Sequence, residues 1–213
     1  MLVRALPPGG ALAGLVGGGR IEVIDDSLGI GGRIATRLSS AGVDAHVVAE
    51  LSQGAAGAVF APGLGPIRSP EDAVAIQRAA LKAAKTLAKK KGQNRVLVTL
   101  QDTGGDFGLA GRAGERVWVG GLSGLVKTAA AEWPDAAVKV IDVSSDGVSP
   151  EEVADRVAAE LLRGGQDVEV ALGPNGERSV VRHEPAPYSA TSAGSSRVRP
   201  GSVLVVTGGA RGV

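Results

Sequence analysis

The chain has 213 residues and a formal net charge of +1 at pH 7, with no cysteine and two histidines. Disulfides, thiolate chemistry and cysteine-based metal sites are therefore excluded, and a protein zinc site is disfavoured. Aromatic residues make up 2% of the chain, and the small net charge gives no strong field that would attract nucleic acid or an anionic membrane.

The first segment, residues 1–19, predicts a flexible lead-in or linker. It contains a short apolar stretch, as a signal peptide would, but Pro7, Pro8 and several glycines interrupt that stretch. No apolar run approaches the roughly 20 residues that a membrane helix needs. We therefore expect a cytoplasmic protein.

Residues 20–187 alternate between predicted strands and helices. Apolar, β-branched runs predict strands in IEVID, DAHVVAE, GAVFAP, RVLVTLQD and AVKVIDV, and DVEVAL and RSVVRH are expected to form a hairpin across GPNGE. Apolar spacing predicts helices in IATRLSSAG, SPEDAVAIQRAALKAAKTLAKKKG, ERVWVGGLSGLVKTAAAEWP and SPEEVADRVAAELLRGG. Glycines 120 and 121 should interrupt the third helix, and Ser69 and Ser149, each followed by proline, should cap the second and fourth.

This alternation predicts an α/β fold, a Rossmann-like, doubly wound parallel sheet with helices on both faces. Residues 188–201, YSATSAGSSRVRPG, have no periodicity and are rich in serine and glycine, so a linker is expected there. Residues 202–213 then begin a new strand, SVLVV, and a glycine-rich turn.

A short sequence motif near the amino-terminal end is repeated at residues 206–213. VTGGARGV, from Val206 to Val213, aligns with VIDDSLGI, from Val23 to Ile30, and both phrases follow an apolar strand. The later copy has small residues that let the backbone approach a pyrophosphate, while the helix after the turn would supply N–H donors. The candidate cofactor-binding residues of this incomplete motif are Thr207, Gly208, Gly209 and Gly212.

The earlier copy carries acids where the later copy has small residues. Ile24, Asp25 and Asp26 occupy the positions of Thr207, Gly208 and Gly209. Carboxylates beside a phosphate would repel it by on the order of 1 to 4 kcal/mol each. We therefore predict that this unit binds no dinucleotide and that one of Asp25, Asp26 and Ser27 caps the following helix.

Three stretches resemble the ketoreductase region of iterative type I polyketide synthases and polyunsaturated fatty acid synthases. They are VTLQDTGGDFGL, GLSGLVKTAAAEWPDAAVKVIDV and VLVVTGGARGV, and the resemblance covers roughly residues 19–213. Such regions look like two tandem short-chain-dehydrogenase folds. The resemblance implies that the first is a degenerate structural subdomain, whereas the second binds NADPH and reduces a β-keto group on acyl carrier protein.

The resemblance implies that this chain holds the structural half, the linker and the first strand and turn of the catalytic half, with the rest of that half beyond Val213. NADPH would be bound by the intact parent and not by this chain alone. The implied partners are the catalytic half in cis, acyl carrier protein and the other synthase domains, with no nucleic acid and no membrane.

The residues of a short-chain dehydrogenase active site are missing from this sequence. Those enzymes use a tyrosine as general acid and a lysine four residues later. The single tyrosine, Tyr188, is followed by Ser192 at that spacing, and in the helix where the pair belongs Trp118 is followed by Leu122. We predict no catalytic residue and no metal ligand, and therefore a fragment of a reductase that is inactive on its own.

Three other functions remain open from the sequence. One is a nucleotide- or effector-binding module that uses loop 104–114 as a pocket, with Asp102, Thr103 and Asp106 at the edge of the sheet. A receiver-like domain is less favoured, since the third strand ends in Ala61 and Pro62 without a phosphate-accepting aspartate. A stand-alone reductase would need the missing tyrosine–lysine pair.

Overall fold

The computed structural model describes residues 1–90, 95–111, 113–185 and 198–205. The chain divides into two compact units, Met1–Arg182 and His183–Val213. In the described part of the second unit, residues 202–205 were expected to begin a strand but form none, and the side chains of Val203, Leu204 and Val205 are exposed. A strand needs neighbours for its backbone groups, and these residues have none among the described ones.

The first unit contains one eight-stranded sheet in the order β1-β8-β7-β6-β5-β4-β2-β3. The strands are Leu2–Arg4 (β1), Ile21–Ile24 (β2), Ala45–Val48 (β3), Gly57–Gly63 (β4), Val96–Gln101 (β5), Ala137–Val143 (β6), Glu169–Leu172 (β7) and Arg178–Val181 (β8). The helices are Ile30–Ser40 (α1), Pro70–Ala88 (α2), Gly121–Glu132 (α3) and Pro150–Arg163 (α4), with a 3₁₀ helix at Gly114–Gly120.

The six strands β2 to β7 are neighbours in the sheet and run parallel. Strands β7 and β8 form the predicted antiparallel hairpin. Helices α1 and α4 pack together on one face, and α2 and α3 pack together on the other. The predicted α/β, Rossmann-like, doubly wound fold is confirmed. The order of the parallel strands reverses between β2 and β4, and this reversal is the topological switch point of the sheet.

The crossover through α4 differs in hand from the other helical crossovers. The chain passes from β2 to β3 through α1 in one direction along the sheet, and from β6 to β7 through α4 in the opposite direction, on the same face. The crossovers through α2 and α3 run along the sheet in the same direction as the α4 crossover, but these two helices lie on the other face. Parallel crossovers have one hand in about 98% of cases, so the α4 crossover is an exception. Helix α4 packs against α1 on this face.

The amino-terminal segment was expected to be a flexible lead-in, and this expectation was wrong. Strand β1 pairs with β8 at the edge of the sheet, and the backbone N–H of Leu12 donates to the Leu161 carbonyl at 2.9 Å. Leu12 and Leu15 are buried in the core between the sheet and helices α1 and α4. Two buried leucines outweigh the flexibility that the neighbouring glycines confer on this segment.

The predicted start and stop signals are confirmed at α2 and α4. The hydroxyl oxygens of Ser69 and Ser149 accept hydrogen bonds from the backbone N–H groups of Asp72 and Glu152, at 3.3 and 3.2 Å. Glycines 120 and 121 mark the change from the 3₁₀ helix to α3. Of the described helices, none has the length and apolar character required to cross a bilayer.

The buried leucines near the amino terminus give a stability prediction. Leu15 is 0% exposed, so Leu15→Ala should lower the free energy of unfolding by about 2 to 5 kcal/mol through lost burial and a cavity. Leu6 is 90% exposed, so Leu6→Ala should change stability by less than about 0.5 kcal/mol. Urea unfolding measures both, and equal stabilities for the two variants would contradict the packing of this segment.

Candidate functional site

The switch point is where open α/β sheets bind their ligands, outside the carboxyl ends of the strands. Here β2 ends at Ile24, a short turn follows, and α1 begins at Ile30, earlier than the sequence predicted. The first four N–H groups of a helix have no acceptor within the helix, and with the helix dipole they form a natural anion site. Which groups occupy these donors decides whether the turn can hold a phosphate.

The chain's own carboxylates occupy the donors at the start of α1. The backbone N–H of Ile30 donates to Oδ1 of Asp26 at 2.7 Å, and the N–H of Gly32 donates to Oδ1 of Asp25 at 3.1 Å. A longer bond of 3.5 Å joins the N–H of Gly31 to Asp26. The expected use of one of Asp25, Asp26 and Ser27 as a cap is confirmed in that both acids accept N–H groups of the first turn. Neither acid is the N-cap residue itself, which is Gly29.

The carboxylate of Asp25 also sets how closely the helix approaches the turn. A Cβ atom on Gly31 would lie 2.6 Å from Oδ1 of Asp25, a distance that side chains do not tolerate. Gly31 is therefore required for the helix to lie directly against the carboxylate. The space that a pyrophosphate would need against the helix terminus is filled by protein atoms.

The electrostatics of this pair oppose a further anion. Burial raises the pKa of Asp26, and a side-chain hydrogen bond with Asp25 raises it too, although the Ile30 and Gly31 N–H groups lower it. Oδ2 of Asp26 is buried and has no hydrogen-bond partner among the described residues. A carboxyl group that is already disfavoured as an anion would be further disfavoured by a neighbouring phosphate.

A second polar centre lies at the carboxyl ends of β5, β6 and β7, around Asp142. This carboxylate is fully buried and accepts backbone N–H groups from Thr103, Asp106 and Phe107 at 2.6, 2.8 and 2.6 Å. Burial raises the pKa of Asp142, although the hydrogen bonds from Thr103 and Phe107 oppose that effect. Asp142 therefore anchors the loop after β5, in which Phe107 adopts a left-handed backbone with φ of 56°.

Asp102 and Arg116 connect this loop to its surroundings. Asp102 accepts hydrogen bonds from the Gly104 N–H and from the Ser145 hydroxyl. The Arg116 guanidinium donates to the carbonyls of Asp102, Gly63 and Gly65, which ties the loop to the chain that follows β4. Beside this network is a cavity of about 660 Å³, whose lining includes Asp102, Arg116, Ser145 and Asp146.

The residues proposed from the sequence fall in different parts of the structure. Thr207, Gly208, Gly209 and Gly212 lie outside the described residues, as do Tyr188 and Ser192. Leu122 is fully buried in α3, and the carbonyl of Trp118 accepts a hydrogen bond from Gln77. No group of acids and histidines suited to a metal ion is found in the part of the chain that the structure describes.

The sequence predicted that Asp102, Thr103 and Asp106 lie at this edge of the sheet, and the structure agrees. That prediction did not include Asp142, whose carboxylate accepts the backbone N–H groups of Thr103 and Asp106. The signal was present, because an aspartate inside the apolar strand AVKVIDV must find donors when buried. Which donors it finds depends on a loop 35 to 39 residues earlier in the chain.

No known protein family matches this sequence, and no curated protein matches it.

The raised pKa of Asp26 gives a pH-dependent prediction. A carboxyl group with a raised folded-state pKa contributes stability that is fully present below its unfolded pKa, about 4, and is lost as pH rises through the folded value. Asp26→Asn removes this titration and keeps an oxygen for the Ile30 N–H. The variant should therefore lose less stability than the wild type between about pH 4 and pH 7.

Urea unfolding at both pH values measures this difference. Asp146→Asn, which removes an exposed carboxylate elsewhere in the fold, is the control for loss of one negative charge. An Asp26→Asn variant that loses as much stability as the wild type over this interval would contradict the assignment.

Proposed function

We propose that this chain is the non-catalytic structural half of an NADPH-dependent β-ketoacyl reductase of polyketide or fatty-acid synthases. Its role is to scaffold a catalytic reductase half in cis, within a parent protein that also engages acyl carrier protein and other synthase domains. The observation that carries the proposal is the occupation of the α1 donors by Asp25 and Asp26. A dinucleotide-binding type of fold whose own carboxylates occupy the phosphate position is suited to scaffold another domain and not to bind a cofactor for catalysis.

The segment that would carry the catalytic pair supports the same proposal, with Trp118 in the 3₁₀ helix and Leu122 in α3. Trp118 and Leu122 stand at the tyrosine and lysine spacing, and Leu122 is packed in the core with Phe60 and Val119. Neither side chain can donate a proton to a ketone or hold a ribose. Thr207, Gly208, Gly209 and Gly212 are the residues that we propose contribute to NADPH binding in the parent.

The first test is the behaviour of the chain with NADPH and a β-ketoacyl thioester. We expect no NADPH oxidation and no saturable heat on titration of NADPH into the wild-type chain. Asp25→Asn/Asp26→Asn keeps the capping oxygens and removes both charges, so any weak NADPH binding should strengthen in this variant. Tight binding by the wild type that this variant weakens would refute the proposal.

The scaffolding role needs a separate test. A β-ketoacyl reductase half that carries the tyrosine–lysine pair should be more active and more stable when expressed together with this chain than without it. Reductase rate and thermal unfolding midpoint are the two readouts. A catalytic half that is equally active and equally stable without its partner would exclude the scaffold.

The cavity beside Asp102 supports a second candidate, an effector-binding module that uses loop 104–114. Its volume of about 660 Å³ is within the range for small-molecule sites, and Asp102, Arg116 and Ser145 supply polar groups. Thermal-shift titration with NADPH and ATP separates this candidate from the scaffold. A saturable shift with either nucleotide would favour the effector module, and the absence of any shift would favour the scaffold.

A further inference from the structure

A group of buried charges lies between β6, α4 and β8, at the side of the sheet away from the switch point. Lys139 is fully buried, and its Nζ lies 2.7 Å from Oε1 of Glu160. The other carboxylate oxygen of Glu160 accepts from Nε of Arg178 at 2.8 Å. Glu160 is thus shared by two cations, and burial lowers the pKa of Lys139 despite this partner.

Arg178 is only partly satisfied by this network. Its Nη2 donates to Asp167 at 2.8 Å, to Glu160 at 3.1 Å and to the Gly164 carbonyl at 3.0 Å. Its Nη1 is buried and has no hydrogen-bond partner among the described residues, although the side chain is 7% exposed. A guanidinium has five N–H donors in a rigid fork, and leaving a buried donor unpaired is costly.

Arg178 lines two adjoining cavities that together we call the Arg178 pocket. The cavities have volumes of about 250 and 420 Å³ and share Pro7, Gly176 and Arg178. Their lining carries four guanidinium groups against two carboxylates, Arg4, Arg156, Arg163 and Arg178 against Glu160 and Glu177. Arg178 also pairs with Asp167, and Arg156 pairs with Glu152. The positive charge of the pocket that lacks a partner among the described residues therefore comes from Arg4 and Arg163.

The arginines around Arg178 divide into fixed and available groups. Arg156 donates to the carbonyls of Gly173 and Pro174, so it holds the turn between β7 and β8. Within the described residues, the side chains of Arg4 and Arg163 form neither a hydrogen bond nor an ion pair, and both residues are exposed. Two cations can therefore turn toward a ligand without breaking an existing contact.

We propose that the Arg178 pocket binds a phosphate oxyanion, as free phosphate or as a phosphomonoester. Guanidinium forks match the oxygens of phosphate in geometry and charge, and several cations around one site favour a dianion over a carboxylate. The apolar lining from Pro7, Ala159 and Leu172 accommodates the organic part of a phosphomonoester. The site uses no residue from the start of α1, so it stands apart from the proposed scaffold function.

Isothermal titration of inorganic phosphate and of phenyl phosphate into the full chain, at constant ionic strength, tests this site. We expect one saturable site for phosphate and a loss of affinity of at least about tenfold in Arg4→Gln/Arg163→Gln, since two charge-assisted contacts are removed. Both residues are exposed and lie outside the buried network, so the variant should unfold at the same temperature as the wild type. Arg78→Gln, on the exposed side of α2, is the matched control and should bind as the wild type does.

Tighter binding of phenyl phosphate than of phosphate would identify a phosphomonoester as the ligand, and equal binding would identify free phosphate. The proposal is overturned if neither probe gives saturable heat. It is also overturned if Arg4→Gln/Arg163→Gln binds as tightly as the wild type, or if Arg78→Gln loses as much affinity as that variant.

Discussion

The hydrogen bonds from the first turn of α1 to Asp25 and Asp26 are the constraint on which the rest of the structure depends. They fix the start of α1 at the switch point, and Gly31 lets the helix lie against the carboxylate. From this start α1 runs alongside α4, where Arg33 pairs with Glu151 at 2.7 Å and Arg37 pairs with Asp155. Buried residues of α1 and α4 also share one core cluster, on the face that gives the α4 crossover its uncommon hand.

Other carboxylates in this fold are also used as acceptors for backbone N–H groups. Asp142 accepts three such groups from the loop after β5, and Asp102 accepts one from Gly104 and one from Ser145. Each interaction stabilises a local backbone conformation at the carboxyl edge of the sheet. In a cofactor-binding protein of this fold, the ligand binds at this edge of the sheet. Here the carboxylates at the edge already accept hydrogen bonds from the chain itself, which is consistent with the proposed scaffold role.

Local signals in the sequence were sufficient to predict most of the elements. Ser69 and Ser149 were predicted as caps because serine, proline and an acid in that order act over one turn of helix. Strand β6 was predicted from AVKVIDV with the bounds that the structure has. A capping role for one of Asp25, Asp26 and Ser27 was predicted from residue type and from their place before a helix.

Features that depend on distant parts of the chain could not be predicted in this way. Strand β1 pairs with β8, more than 170 residues away, and a strand of three residues that stands before Pro7, Pro8 and a run of glycines gives no periodic signal. The hand of the α4 crossover depends on contacts between helices, and the pairing of Lys139 with Glu160 depends on a crossing of strand and helix. These features come from tertiary packing, which a reading of local patterns does not contain.

Amide hydrogen exchange at the start of α1 is the most direct measurement of the central claim. Donors in the first turn of a helix ordinarily exchange quickly because they have no acceptor within the helix. If the carboxylates of Asp25 and Asp26 hold these donors, the Ile30 and Gly32 amides should be protected in the wild type and lose that protection in Asp25→Ala/Asp26→Ala. Rapid exchange of both amides in the folded wild-type protein would contradict the account.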